Sequence, residues 1–147
     1  MRIYYAGPLF SQAELEFNDK VAARLRACGF DVFLPQENTA DIRNTVTPEM
    51  MKGFFRADLD EIDSCDLLLL VMDGRVPDEG ACFELGYAYA KGKQCIGLKT
   101  DIRVSEYGQD NAMLLGSLDG AVVHDVDSLI AKLRKAEMKH LTEKGEI

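Results

Sequence analysis

In Asp66-Leu67-Leu68-Leu69-Leu70-Val71-Met72 every residue after Asp66 is apolar, with no polar alternation. A strand with one wet face would alternate every second residue. An unbroken run of this length instead predicts a strand buried on both faces, as in a parallel sheet covered by helices. Working outward, short apolar runs alternate with helical patterns. Arg2–Ala6 reads as a strand closed by Gly7-Pro8, and Asp31–Leu34 as a second strand ending before Pro35. Gln94–Lys99 and Gly120–His124 read as two more. Between them, Gln12–Cys28 carries Leu15, Val21, Ala22 and Leu25 at helical spacing and is stopped by Gly29. Pro48–Ser64, Glu79–Lys91 and Val126–Leu141 read as helices, with a short one at Asn111–Ser117. The polar stretch Gln36–Thr47 reads as a loop. The expected architecture is one α/β domain over residues 1–147. It is a flavodoxin-like or Rossmann-like three-layer sandwich on a five-stranded parallel sheet. Such sheets place their sites at the carboxyl ends of the strands, here Tyr5–Phe10, Met72–Gly80 and Lys99–Asn111.

Composition narrows the function. The 147 residues are enough for a self-sufficient core. Lys and Arg total 17 against 25 Asp and Glu, a formal charge of −8. That excess repels a phosphate backbone and an anionic lipid surface, so neither nucleic acid nor membrane is an expected partner. Cys28, Cys65, Cys82 and Cys95 form no C-x-x-C pair and have no clustered His, which excludes the common zinc spacings. Their apolar neighbours suit buried thiols in a reducing cytoplasm. No metal site is expected. The amino terminus lacks the pattern of a signal peptide, and no apolar stretch reaches the roughly 18 residues of a membrane span. Two histidines and no tryptophan leave carboxylates as the expected catalytic groups.

Three carboxylates stand out. In Glu79–Lys91, EGACFELGYAYAK, Glu84 is the only internal charge. Its neighbours three and four positions away are Gly80, Ala81, Tyr87 and Ala88, so it has no local ion-pair partner. It is either a group whose burial raises its pKa for a ligand's use or the one solvated position of the helix. Asp78 is suited to cap that helix, and its second oxygen is available for another role. Asp58 lies seven residues after Met51, about 20° from it on the helical wheel. That puts it inside the arc of Phe55, Leu59 and Ile62, whereas Asp60, Glu61 and Asp63 lie at the edges or outside. A buried Asp needs a loop hydrogen bond or a ligand. Tyr4 and Tyr5 point to opposite faces of their strand, one to the core and one toward a site. Gly7-Pro8 is either a simple turn or a close backbone approach to a ligand.

Together these residues resemble the nucleoside 2-deoxyribosyltransferase family. The match begins at Ile3-Tyr4-Tyr5-Ala6-Gly7-Pro8-Leu9-Phe10 and passes through Asp58-Leu59 and Asp66–Val71. It is sharpest at Asp78-x-Gly80-x-x-x-Glu84-Leu85-Gly86-Tyr87-Ala88, and it ends at Asn111-x-Met113. The resemblance implies a retaining double displacement at C1′ of a 2′-deoxynucleoside, with Glu84 as nucleophile and a covalent deoxyribosyl ester. It further implies that Asp58 contacts the base and handles its proton, that Asp78 holds the 5′-hydroxyl, and that Tyr4 orients Glu84. Asn111 matches a residue donated by a neighbouring subunit, which implies a homo-oligomer. Gly7, Phe10, Gly80 and Met113 complete the implied substrate-binding set. No cofactor is implied. The loop Gln36–Thr47 does not align, and the helix running past Leu133 into AEMKHLTEKGEI departs from the family pattern. Two other readings stand beside this one. The first is a hydrolase of deoxynucleoside 5′-monophosphates, in which serines resemble the positions of Asp78 and Asn111. The second is a non-catalytic nucleotide-binding module.

Overall fold

The computed structural model describes residues 1–38, 46–104 and 107–147. Five parallel strands form one sheet: β1 (Arg2–Ala6), β2 (Asp31–Phe33), β3 (Leu67–Val71), β4 (Gln94–Leu98) and β5 (Val122–Val123). Their spatial order is β2-β1-β3-β4-β5. Among the described residues four helices connect them, α1 (Gln12–Ala27), α2 (Pro48–Ser64), α3 (Glu79–Ala90) and α4 (Ala112–Leu118), and α5 (Val126–Lys144) follows the last strand. The three-layer α/β architecture is as expected. The last strand shrinks to two residues, and α5 runs three residues beyond Leu141. The short helix begins at Ala112, with Asn111 as its N-cap. Pro35–Glu37 forms a single 3-10 turn where a loop is expected. Most of the remaining expected loop, residues 39–45, lies outside the described residues.

The central run behaves as its composition dictates. Leu67, Leu68, Leu69, Leu70 and Val71 are all buried, and each such side chain contributes roughly 1.5–3 kcal/mol of transfer free energy. Alternate residues feed two separate cores. Leu67, Leu69 and Val71 pack with Tyr5, Val21 and Leu25 of α1 and Leu129 and Leu133 of α5. Leu68 and Leu70 pack with Tyr4, Ile62 of α2, Ala81, Leu85 and Ala88 of α3, and Leu118 of α4. Gly97 makes the second core possible. A Cβ there would come within 2.9 Å of both Leu118 Cδ1 and Met72 Sδ.

Local signals set the helix ends. Ser11 caps α1 by accepting from the Glu14 amide, and Glu14 returns the bond to the Ser11 amide, the reciprocal box that satisfies two otherwise orphaned donors. Gly29 takes φ +89°, which any Cβ would resist, and turns the chain into β2. Thr47 and Asp125 cap α2 and α5 by accepting from the Met50 and Ser128 amides.

The strand order reverses between β1 and β3, because the chain moves outward to β2 and then returns to build the other half. That switch point opens a crevice at the carboxyl ends of the two strands. The carboxyl end of α5 lies at the opposite end of the strands, where His140 and Lys144 face Asp66 ahead of β3. The charged tail of α5 therefore runs away from the crevice.

Candidate active site

The crevice is a cavity of about 540 Å³. Gly7, Leu9 and Phe10 follow β1, Phe33 ends β2 and Pro35 follows it, Phe54, Asp58 and Glu61 come from α2, and Asp78, Gly80 and Glu84 come from the start of α3. The volume suits a nucleoside-sized ligand.

Glu84 is not on a solvated stripe. It lies beside Ala81, Leu85 and Ala88, the residues by which α3 packs on the sheet, and its carboxylate accepts a 3.0 Å hydrogen bond from the Tyr4 hydroxyl. Burial, with the charges of Asp58 and Asp78, raises its pKa to about 8 against the opposing pull of the Tyr4 bond. Tyr4 is fully buried on β1, and its ring stacks on Phe33 at 5.4 Å between centroids. Burial first, then the charges of Glu84 and Asp58, push the phenol far above its ordinary range, so it stays a donor. Tyr5 points to the other core, where its hydroxyl donates to Asn18 at 2.9 Å.

Asp58 is half-buried, and among the described residues it has neither a hydrogen-bond nor an ion-pair partner. Desolvation and the neighbouring Glu61 raise its pKa. A half-buried carboxyl without a partner, facing a cavity, has capacity left for a ligand. Asp78 does cap α3, with Oδ2 accepting from the Ala81 amide at 2.9 Å. It lines the cavity as well. Gly80 leaves room for that carboxylate, since a Cβ would sit 3.2 Å from Asp78 Oδ2. Gly7 is similarly tight, with 3.0 Å to Val71 Cβ.

Two loops at the rim are tied together. The Asp73 carboxylate accepts from the Thr100 amide and hydroxyl and the Asp101 amide, and Asp101 accepts from the Gly74 amide. Buried Lys99 pairs with Asp110, immediately before Asn111.

Asn111 and Met113 are not brought to the cavity of their own chain. The Asn111 side-chain oxygen caps α4 by accepting from the Met113 amide at 2.9 Å. Met113 is 77% exposed. Phe10 lines the cavity yet is also 77% exposed. The apolar arc of α2 is likewise uncovered. Ile62 is its only fully buried member, while Met51, Phe54 and Phe55 are exposed, with Phe55 5.8 Å from Phe83 of α3 between ring centroids.

Several cavity residues escaped the sequence reading. Phe54, Asp58 and Glu61 recur at helical spacing on one side of α2, a signal that would have added Phe54 and Glu61. Phe33 ends a three-residue strand, and Asn38 follows the 3-10 turn. Neither residue has a pattern of its own. Among the described residues no group of three His, Cys, Asp or Glu side chains is arranged to hold a metal ion.

The model of the nucleoside 2-deoxyribosyltransferase family matches residues 3–137. The chain belongs to the nucleoside 2-deoxyribosyltransferase family. Among solved structures it is similar to a conserved protein of Enterococcus faecalis, with 29% identity, a TM-score of 0.77 and coverage of 92% of this chain and 98% of the other. It is also similar to the 2-deoxyribosyltransferase of Bacillus psychrosaccharolyticus, with 26% identity, a TM-score of 0.73 and coverage of 88% and 90%. A CMP N-glycosidase of Clostridium botulinum shares the fold, at 19% identity, a TM-score of 0.57 and coverage of 91% and 99%. Membership in the deoxyribosyltransferase family supports an enzyme acting on nucleosides, whether by transfer or by glycosidic cleavage. Among the described residues no helix is long and apolar enough to cross a membrane.

Proposed function

We propose that this enzyme exchanges the base of a 2′-deoxynucleoside through a covalent deoxyribosyl ester on Glu84. The observation that carries the reading is one carboxylate, Glu84, held by the Tyr4 hydroxyl in a cavity that also contains Asp58 and Asp78. In the first step a Glu84 oxygen bonds to C1′. The C1′–N bond breaks, its electron pair leaves with the base, and Asp58 supplies the proton that neutralises it. In the second step a free base attacks C1′ from the face that the first base left, opposite the Glu84 ester bond. The ester C–O bond breaks, Glu84 regains its charge and Asp58 takes back the proton, so configuration is retained. The positive sugar of each transition state is stabilised by the surrounding carboxylates.

Asp78 serves the sugar's 5′-hydroxyl in this reading, with Phe10 and Phe33 against the base and the backbone at Gly7 and Gly80 close to the ligand. A neutral 5′ end fits Asp78 better than a phosphate, whose like charge would be repelled. Asn111 and Met113 complete the site from a second copy. The exposed and adjacent Phe55 and Phe83 support such an assembly, because contiguous apolar surface is usual at interfaces. Four unpaired cysteines suit a reducing cytoplasm. No cofactor takes part.

The test is incubation with deoxyinosine alone, followed by intact-mass measurement, and then addition of adenine. Wild type should gain one deoxyribosyl mass, Glu84→Ala should gain none, and adenine should discharge the adduct as deoxyadenosine. Free sugar and base without an adduct point to a hydrolase. Neither adduct nor base release points to a binding module.

A further inference from the structure

Lys99 is a charged residue in a buried place. It directly follows β4. Its amide donates to the Val123 carbonyl at 2.9 Å, and its own carbonyl accepts from His124 Nδ1 at 3.0 Å, so its backbone is fixed to the sheet. Its side chain is only 6% exposed. An ammonium so placed needs a partner, and it pairs with Asp110, 11 positions on. The chain leaves the sheet at Thr100 and Asp101, whose amides are held by Asp73. It returns at Asp110, so the ion pair closes the base of that excursion. The next residue is Asn111, the N-cap of α4. Seven residues are too few to hold themselves helical, so the place of Asn111 depends on anchors outside the helix backbone. Leu114 and Leu118 anchor α4 in the core from one side, and Asp110 anchors its start to Lys99. A buried ion pair stabilises little, because desolvation offsets most of its attraction, but it defines a position. Neither Lys99 nor Asp110 is among the described residues that line the crevice of the same chain.

We propose that Lys99 is a positioning residue that works across the subunit boundary: by pairing with Asp110 it sets the place from which Asn111 enters the neighbouring copy's site. This rests on the deoxynucleoside reading above, with Asn111 completing the site of a second copy. It adds that a sheet residue remote from its own crevice governs the chemistry next door. Methionine resembles the lysine stem and suits burial, so Lys99→Met removes the charge and leaves the partly exposed Asp110 to water. Asp110→Asn keeps an acceptor in the same place and removes the charge on the other side.

The experiment measures base exchange from deoxyinosine to adenine in wild type, Lys99→Met and Asp110→Asn, and then after subunit exchange with Glu84→Ala or Asn111→Ala. KM should rise, and kcat/KM should fall by about tenfold in Lys99→Met and about threefold in Asp110→Asn, inside the cost of misplacing a group by about 1 Å. Lys99→Met mixed with Glu84→Ala should exceed the sum of the two separate activities. Each mixed pair then holds one site with Glu84 from one chain and a correctly placed Asn111 from the other. Lys99→Met mixed with Asn111→Ala should not exceed that sum, because no site receives a correctly placed Asn111. Wild-type kinetics in folded Lys99→Met overturn the proposal. So does loss of the fold in both variants, which makes the pair a stability element. Activity that Glu84→Ala fails to restore to Lys99→Met, where Glu84→Ala and Asn111→Ala restore each other, places the effect of Lys99 inside its own chain and overturns it as well. If Glu84→Ala and Asn111→Ala do not restore each other in mixed assemblies, the donation of Asn111 falls and this inference with it, while base exchange by wild type leaves the deoxynucleoside reading standing. A wild type that exchanges no base removes that reading too.

Discussion

The Tyr4 hydroxyl reaches from β1 to the Glu84 carboxylate on α3 at 3.0 Å, a contact between residues 80 positions apart. It is the one hydrogen bond among the described residues that both fixes the orientation of Glu84 and lowers its pKa. Tyr4→Phe keeps the ring, its stacking on Phe33 and nearly all of its buried area, so the fold should be retained. Without the donor, Glu84 should ionise at higher pH. Base exchange near neutral pH should fall by about 10–100-fold in kcat, the range for loss of one positioned hydrogen-bonding group. The acidic limb of the pH–rate profile should move to higher pH. An unshifted profile would show that Tyr4 only fills space.

The raised pKa of Glu84 makes its own prediction. The nucleophile must be ionised, so kcat/KM should climb through a limb near pH 8. The same shift acts on stability. The folded state holds the proton up to about pH 8, whereas in the unfolded chain the group releases it near the ordinary glutamate value of 4.5. The native state thus binds more protons across that window. This contribution is fully present below the lower value and is lost as pH rises toward the upper one. Glu84→Gln carries no ionisation and should unfold at a higher temperature than wild type at pH 9, by about 5 °C, with little difference at pH 5. Equal melting temperatures at both pH values would contradict a buried, reluctant carboxylate.

Asp78 has two duties that substitution can separate. Asparagine caps a helix about as well as aspartate, so Asp78→Asn should keep the stability of wild type, while Asp78→Ala should lose about 1 kcal/mol. Both remove the negative oxygen from the cavity. If that oxygen holds the 5′-hydroxyl, both should raise KM for a deoxynucleoside. Neither should alter KM for the 2′,5′-dideoxynucleoside, which lacks the partner group. Chemical denaturation read beside the two KM values decides between cap and ligand.

Gly97 offers a test of the packing beneath the site. A methyl group there would meet Leu118 and Met72 at 2.9 Å, and overpacking of this kind costs about 1–3 kcal/mol. Gly97→Ala should lower the unfolding free energy by that amount, read as a lower denaturant midpoint at unchanged m. A variant as stable as wild type would mean that α4 moves aside freely.

How much was legible beforehand follows from what each residue answers to. Leu67–Val71 and the helix around Glu84 were readable because burial on both faces and an isolated charge are patterns of neighbouring positions. Glu84 and Asp58 stood out by being polar where the local period called for something else, and Asp78 by standing where a helix needs its cap. The Asp73–Thr100 tie and the Lys99–Asp110 pair were not readable. They join loops whose ends meet only after β3 and β4 pair, and nothing in either segment names its partner. The two-residue β5 was overextended for a related reason, since an edge strand pairs on one side only and Gly120 takes φ +70°. On α2 the apolar arc read as core is largely exposed within one chain, because periodicity reports that a face is to be covered and not by which molecule.

That uncovered face leads to the last prediction. In the proposed assembly Glu84 belongs to one copy and Asn111 to its neighbour. Glu84→Ala should abolish base exchange, and Asn111→Ala should reduce it severely by removing a substrate contact. Each mixed pair of these two chains contains one site that keeps both wild-type residues. Mixing the inactive proteins, after partial unfolding to exchange subunits, should therefore restore activity that neither has alone. Phe83→Asp places a charge on the exposed apolar face of α3 beside Phe55, which should shift the protein toward monomer in light scattering and lower activity without unfolding it. Mixed assemblies that form but recover no activity would sink the donation of Asn111, since every copy would then depend on its own residue. A Phe83→Asp monomer with full activity would sink it as well, because a chain that works alone needs nothing from a partner.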